Sequence, residues 1–312
     1  MIDITAKNFQ AELVDASRQQ PVLLDIWAPW CGPCKTLGPV LEKIERDYDG
    51  RFLLGKLNSE DQPDIAAQLS QMFGVRSIPF CVLFKDGQPV DGFVGALPEA
   101  DICRFLDTHV PSAEALEAEE DLLAAEELLA EGDADSAIEK LRQALELDPG
   151  NDTARYEYLR ALLANGHVAT ARAIYDPVAP HPVLDARLRA CGHWIAACEQ
   201  AAAARPAEEL QAAISASKRD FDARFELAQQ YFAAQRHTEA MDELLEIIMR
   251  DKTWRDELAR KNYVAILELI TKAPPKAEAT PKGALEIAGK MLSASADPVV
   301  DSYRRKLSMA LF

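Results

Sequence analysis

The chain has 312 residues, 48% of them apolar and 27% charged, and carries a formal net charge of −17. That length allows two or three ordinary domains with a sizeable core. The acidic balance argues against nucleic acid and anionic membrane as partners, because both repel a chain of this sign. No stretch approaches the ~18 uninterrupted apolar residues of a membrane helix. The start, Met1-Ile2-Asp3-Ile4-Thr5, carries neither the basic region nor the apolar segment of a secretion signal. The expectation is a cytoplasmic protein. Six cysteines scattered over this length do not suggest a secreted disulfide scaffold.

Residues 1 to 110 alternate strand and helix patterns. Asn8 to Ala16 has helical spacing, and Val22 to Ala28 reads as a buried strand. The stretch Trp27-Ala28-Pro29-Trp30-Cys31-Gly32-Pro33-Cys34-Lys35 follows, and then Leu37, Val40, Leu41 and Ile44 recur at helical spacing. Two cysteines therefore sit where a strand turns into a helix. The first is expected at the helix N-terminus, where unpaired N–H groups and the macrodipole favour a thiolate. The second is expected one turn in, within reach of a mixed disulfide formed on the first. Zinc sites also use C-x-x-C, but they want a second Cys or His pair at short spacing, and the sequence has none. The five histidines show no metal spacing, so neither metal nor cofactor is expected. Further on, Phe52 to Asn58 reads as a strand and Ile65 to Met72 as a helix. Phe80 to Phe84 reads as a strand ending at Asp86-Gly87, Val90 to Val94 as its hairpin partner, and Glu99 to Val110 as a closing helix.

Trp30-Cys31-Gly32-Pro33-Cys34-Lys35 resembles the active site of thioredoxin, and other matches follow in order. Asp25 stands where thioredoxin keeps a buried carboxylate, and Lys56 where a lysine neighbours it. Ser77-Ile78-Pro79 resembles the cis-proline loop facing the disulfide, and Phe93-Val94-Gly95-Ala96 the last strand with the glycine beside the substrate groove. The resemblance implies a thioredoxin α/β fold over residues 1 to 110, a sheet with helices on both faces. It implies Cys31 as nucleophile, Cys34 as resolving thiol and Asp25 as acceptor of the Cys34 proton, tuned by Lys56. The resemblance also implies a nucleophile pKa near 7, as in thioredoxin. Trp30, Gly32, Pro33, Ile78, Pro79, Phe80 and Gly95 would line the groove. Phe80 replaces the small polar residue usual after that proline and is expected to enlarge the apolar surface beside the cysteines. The other four cysteines read as structural: Cys81 on a central strand, Cys103 on an apolar helix face, and Cys191 and Cys198 about 10 Å apart along one helix, too far to bridge.

Composition changes at Pro111. Glu114 to Glu131 holds eight acidic residues and no basic one, which reads as a solvated helix face. Residues 111 to 271 then read as helices with an internal repeat. Gly132 and Gly166 are 34 apart, as are Ala137 and Ala171, and Leu128 and Leu162. Ala154-Arg155-Tyr156-Glu157 recurs 69 residues later as Ala223-Arg224-Phe225-Glu226. A 34-residue period with small residues at fixed places is the tetratricopeptide signature, and 69 leaves room for one degenerate copy near 183 to 220. An all-α solenoid with a concave, protein-binding face is expected. Residues 272 to 283 read as a Pro-rich linker, Ala284 to Leu292 as a further segment, and the end as a helix starting near Asp297-Pro298, so 272 to 312 forms a third region. That last helix has an apolar stripe of Val300, Tyr303, Leu307 and Leu311, with Arg304, Arg305 and Lys306 together beside it. The stripe suits either a partner's groove or a cap on the last repeat.

A thioredoxin domain followed by tetratricopeptide helices resembles the bacterial chaperedoxin family, and Gly87-Gln88-Pro89-Val90-Asp91-Gly92-Phe93 and Tyr303-Arg304-Arg305-Lys306-Leu307 are similar to it. The resemblance implies a redox-active holdase. Its partners would be unfolded or oxidised client proteins, held in part through mixed disulfides, and a chaperonin that receives them. Thioredoxin reductase would be a candidate electron donor. The alternative is a plain protein-disulfide reductase whose repeats dock it to one partner.

Overall fold

The computed structural model describes residues 1–181, 183–271 and 297–311. The Pro-rich stretch 272–283 and the segment 284–292 lie outside the described residues. The chain divides into two compact units, Met1–Glu117 and Ala118–Phe312.

The first unit is built on strands β1 (Ile2–Asp3), β2 (Val22–Trp27), β3 (Leu53–Asn58), β4 (Phe80–Lys85) and β5 (Gln88–Val94). Their order in the sheet is β1-β3-β2-β4-β5. β2 runs parallel to β3, and β4 antiparallel to both β2 and β5. β2 is therefore central, in keeping with a strand that is apolar except at Asp25. Side-chain alternation sends Leu23 to one face and Val22, Leu24 and Ile26 to the other. Helices α1 (Gly32–Asp47) and α3 (Glu99–Asp107) cover the first face, through Leu37, Leu41, Ile44, Ile102 and Leu106. Helix α2 (Pro63–Phe73) and the helical segment Phe9–Asp15 cover the second, through Ala66, Leu69 and Leu13. This is the thioredoxin arrangement that the resemblance implies.

The second unit contains helices only among the described residues. After α4 (Ala113–Glu131), whose first residues belong to the first unit, come α5 (Ala134–Leu147), α6 (Asp152–Ala164), α7 (Val168–Tyr175), α8 (Ala186–Ala202) and α9 (Ala207–Ala216). Then follow α10 (Phe221–Ala233), α11 (His237–Arg250), α12 (Trp254–Ile270) and α13 (Pro298–Leu311). The pair α8 and α9 occupies the place of the degenerate repeat. The 34- and 69-residue periods mark equivalent positions. Gly132 and Gly166 turn the chain between the two helices of their pairs with φ of 88° and 78°, and 69 residues after Gly166 stands Gln235 with φ of 57°. Glycine takes this left-handed turn without penalty, whereas Gln235 pays about 1 kcal/mol for it. Arg155 and Arg224 are also equivalent. Each is buried at the start of its helix and donates to the carbonyl six residues before it, Pro149 O and Lys218 O, which ties the inter-repeat loop to the helix it feeds.

Helix α13 closes this unit. Val300 and Tyr303 are buried, and Leu307 and Leu311 pack against the same continuous core. Tyr263 Oη donates to Tyr303 O at 2.8 Å, and Tyr303 Oη donates to Asp242 Oδ1 at 3.0 Å. This is the capping arrangement. Docking through the same stripe would require α13 to leave the core, whereas Arg304 and Arg305 are exposed as the helix stands. Truncation after Asp297 uncovers an apolar face, a cost of about 2–3 kcal/mol, and is expected to lower the thermal midpoint by several degrees. Scanning calorimetry of the truncated chain checks this; an unchanged midpoint would remove α13 from the core.

Candidate active site

Cys31 is the N-cap residue of α1. Its backbone is extended, at φ −77° and ψ 105°, and the Cys34 N–H points at its sulfur, 3.2 Å away. Pro33 fits the first turn because an N–H there would have no partner anyway. A Cβ built on Gly32 would meet nothing within 4 Å, so the rim there is open. Cys34 begins the buried stripe of α1, with Leu37, Gly38, Leu41 and Ile44. The two sulfurs are bonded to each other. With the bond reduced, an anionic Cys31 would be stabilised by the aligned peptide dipoles and by the amide already aimed at it.

Ala28, Cys31 and Cys34 form one small cluster, with Trp27 and Ile78 packed against it. The Ile78–Pro79 bond is cis, and Gly95 N–H donates to Pro79 O at 2.8 Å. Gly95 has φ of 88°, open to glycine at no cost, so this residue holds the proline loop from the neighbouring strand. Trp30 is 69% exposed, and a cleft of about 520 Å³ runs from it past Ser59, Ala67, Ser70, Arg76 and Ile78. The structure thus brings Cys31, Cys34, Gly32, Pro33, Ile78, Pro79 and Gly95 together, with Trp30 at the rim.

Phe80 does not join them. It is 1% exposed and packs edge-to-face on Phe73, ring centroids 5.6 Å apart. The cause is strand parity. Phe80 starts β4 opposite Ile26, so both face α2, while Cys81 faces the α1 side. The expected apolar enlargement of the groove is therefore absent at this residue.

Asp25 is 1% exposed. Burial pushes its pKa up to about 6, opposed by the positive charge of Lys56 and by a contact from Cys81. Lys56 does not bond the carboxylate. It is the strand partner of Asp25 in β3, and its Nζ pairs with Glu42 of α1 at 2.5 Å. Lys56 therefore acts on Asp25 through space, its charge lowering the carboxyl's pKa against the rise from burial. Two groups escaped the sequence reading: Glu42, which holds Lys56, and Cys81, which faces Asp25. Only the i, i+4 placement of Gly38 and Glu42 on α1 offered a signal for the first.

A helix-capping dithiol over a sheet with a buried central carboxyl defines a thiol–disulfide oxidoreductase of thioredoxin fold. Residues 1–108 match the thioredoxin family, and 128–190 and 200–281 match tetratricopeptide repeats. The thioredoxin of Chlorobaculum thiosulfatiphilum is 45% identical over 108 residues, which are 35% of this chain and 94% of that protein. Thioredoxin 2 of Chlorobaculum tepidum is 44% identical over the same shares. Thioredoxin 1 of a Nostoc species is 40% identical over 107 residues, 34% of this chain and 94% of its own. Through its N-terminal third, the chain belongs to the thioredoxin family. Its repeats add protein-interaction capacity. Among the described residues no helix is long and apolar enough to cross a membrane.

The raised carboxyl gives a signed stability prediction. A folded-state pKa near 6, against 3.8 unperturbed, means the folded chain holds this proton more tightly. That contribution is complete below about 4 and is lost as pH rises through about 6. Asp25→Asn is therefore expected to stabilise the oxidised protein by about 2–3 kcal/mol at pH 7.5, with the gain fading toward pH 4. Urea midpoints at the two pH values read this directly. A gain as large at pH 4, or a loss at pH 7.5, would contradict the burial of a charged Asp25.

Proposed function

We propose that this protein is a redox-active co-chaperone: a cytoplasmic holdase that binds unfolding clients and exchanges disulfides with their cysteines through Cys31 and Cys34. The observation that carries this reading is the joining, in one chain, of a thioredoxin-type dithiol with tetratricopeptide helices. The proposed division is a redox domain at 1–110, a repeat domain at 111–271 and a C-terminal segment at 272–312. The chaperedoxin resemblance supports hand-over to a chaperonin, and the exposed Arg304 and Arg305 of α13 offer a basic contact on an otherwise acidic chain. Thioredoxin reductase is the proposed electron donor.

The chemistry runs in two steps. Cys31 thiolate attacks a client disulfide, forming a mixed disulfide and releasing one client thiolate. Cys34 gives its proton to Asp25 and attacks Cys31 Sγ; the Cys31–client bond breaks and the second client sulfur leaves as thiolate. Two electrons have passed to the client, and the Cys31–Cys34 bond is the product. Ile78, Pro79 and Gly95 frame the approach to that bond, and the cleft beside Trp30 takes the client chain.

A plain reductase with docking repeats is favoured by one observation. The large exposed apolar residues among the described residues of the repeat unit are only Leu123, Val183, Met249, Val264, Val299 and Met309, whereas capture of unfolded chains needs extended apolar surface. Light scattering from a heated, cysteine-free client separates the readings. The double variant Cys31→Ser, Cys34→Ser is expected to slow aggregation as the native protein does, while insulin reduction is abolished. Native protein that fails to slow aggregation would leave the plain reductase. Loss of protection in the double variant alone, with native circular dichroism, would make capture redox-driven.

A further inference from the structure

Cys81 has no part in the steps above, yet it sits against the group that takes the proton. β2 and β4 pair so that Asp25 and Cys81 are direct partners across the strands. Cys81 Sγ lies 3.9 Å from Asp25 Oδ1, within the reach of a sulfur hydrogen bond, and both side chains are shut off from solvent. Cys81 belongs to the core on the α1 side of the sheet, the face toward which the stripe beginning at Cys34 is turned. The strands approach closely here: a Cβ on Gly92 of β5 would lie 2.6 Å from Cys81 O, so only glycine fits there.

We propose that Cys81 is a positioning residue for the proton step, its S–H donating to Asp25 Oδ1 and holding that carboxylate charged and oriented for the Cys34 proton. The proposal rests on the reading of Asp25 as proton acceptor. The other groups around Asp25 leave this donor little competition. From β3 comes Lys56, whose Nζ is engaged by Glu42 of α1 and so acts at a distance. From β4 comes Cys81 alone. Burial raises the Cys81 thiol well above its ordinary value, so it stays protonated and can only donate to a carboxylate. An S–H is a weak donor, strong enough to bias a carboxyl but not to lock it in its charged form. A carboxyl that must accept a proton and release it in each cycle needs that moderate bias.

The test is the titration of the Asp25 carboxyl carbon by NMR in the oxidised protein, beside the pH profile of insulin reduction. Cys81→Ala removes the donor, and its midpoint is expected to rise by on the order of half a pH unit. Cys81→Ser keeps a donor of similar size and strengthens it, so its midpoint is expected to fall. Cys81→Val fills the core without a donor and is expected to follow alanine. The acidic limb of the rate profile should move in the same order. If serine, alanine and valine shift the carboxyl together, Cys81 is core filling and the proposal fails. Ordered titrations with a rate profile that Asp25→Asn leaves untouched would overturn the role of Asp25, and the positioning role with it. A rate profile that Asp25→Asn does alter, without ordered shifts among the Cys81 variants, would overturn Cys81 alone.

Discussion

The first turn of α1 is the constraint on which the rest depends. Four N–H groups at a helix start have no partner within the helix, and here one of them, that of Cys34, is aimed at a sulfur. β2 places that helix start, because it delivers Cys31 directly from the centre of the sheet. The flanking strands complete the arrangement: β4 follows the proline loop, and Gly95 after β5 ties that loop down. The same central position that makes β2 a rigid support also buries Asp25. Burial there raises the Asp25 pKa to about 6, a range suited to the proton step proposed for it.

Most of this was legible in the sequence because it follows from local chemistry. The strand-to-helix junction, Pro33 in the first turn, and the Asp86-Gly87 hairpin each carry a short-range signal that tertiary packing does not overturn. The failures are of another kind. Phe80-Cys81-Val82-Leu83-Phe84 is apolar at every position, so nothing in it states which residues face α1 and which face α2. Strand parity turns Phe80 away from the groove in which the resemblance places it, and sets Cys81, buried as expected, against Asp25. The resemblance places Lys56 beside Asp25, and β3 sets it there as the strand partner; its ion pair with Glu42 is a contact between elements and leaves no periodic trace. β1 is two residues long and too short to announce itself.

The repeat unit shows the same division. Its period was readable at Gly132, Gly166, Ala137 and Ala171, where backbone conformation or close helix packing demands a small residue. The α8–α9 pair lacks those markers, yet its helices are present, because helix pairs in a solenoid are held by neighbours more than by consensus residues. The stripe of α13 was ambiguous in principle. An amphipathic helix buries the same face whether the groove belongs to its own chain or to another, and the structure puts it on the core of its own unit.

The N-terminus of α1 is expected to make the reduced Cys31 a thiolate near neutral pH. Ultraviolet absorbance of the reduced protein, titrated from pH 5 to 10 and compared with Cys31→Ser, reads that thiolate directly. A step well below the ordinary cysteine value of about 8.5, and lost in Cys31→Ser, is expected. A Cys31 that ionises at or above that value would contradict the claim, since neither the dipole nor the Cys34 amide would then be acting on it.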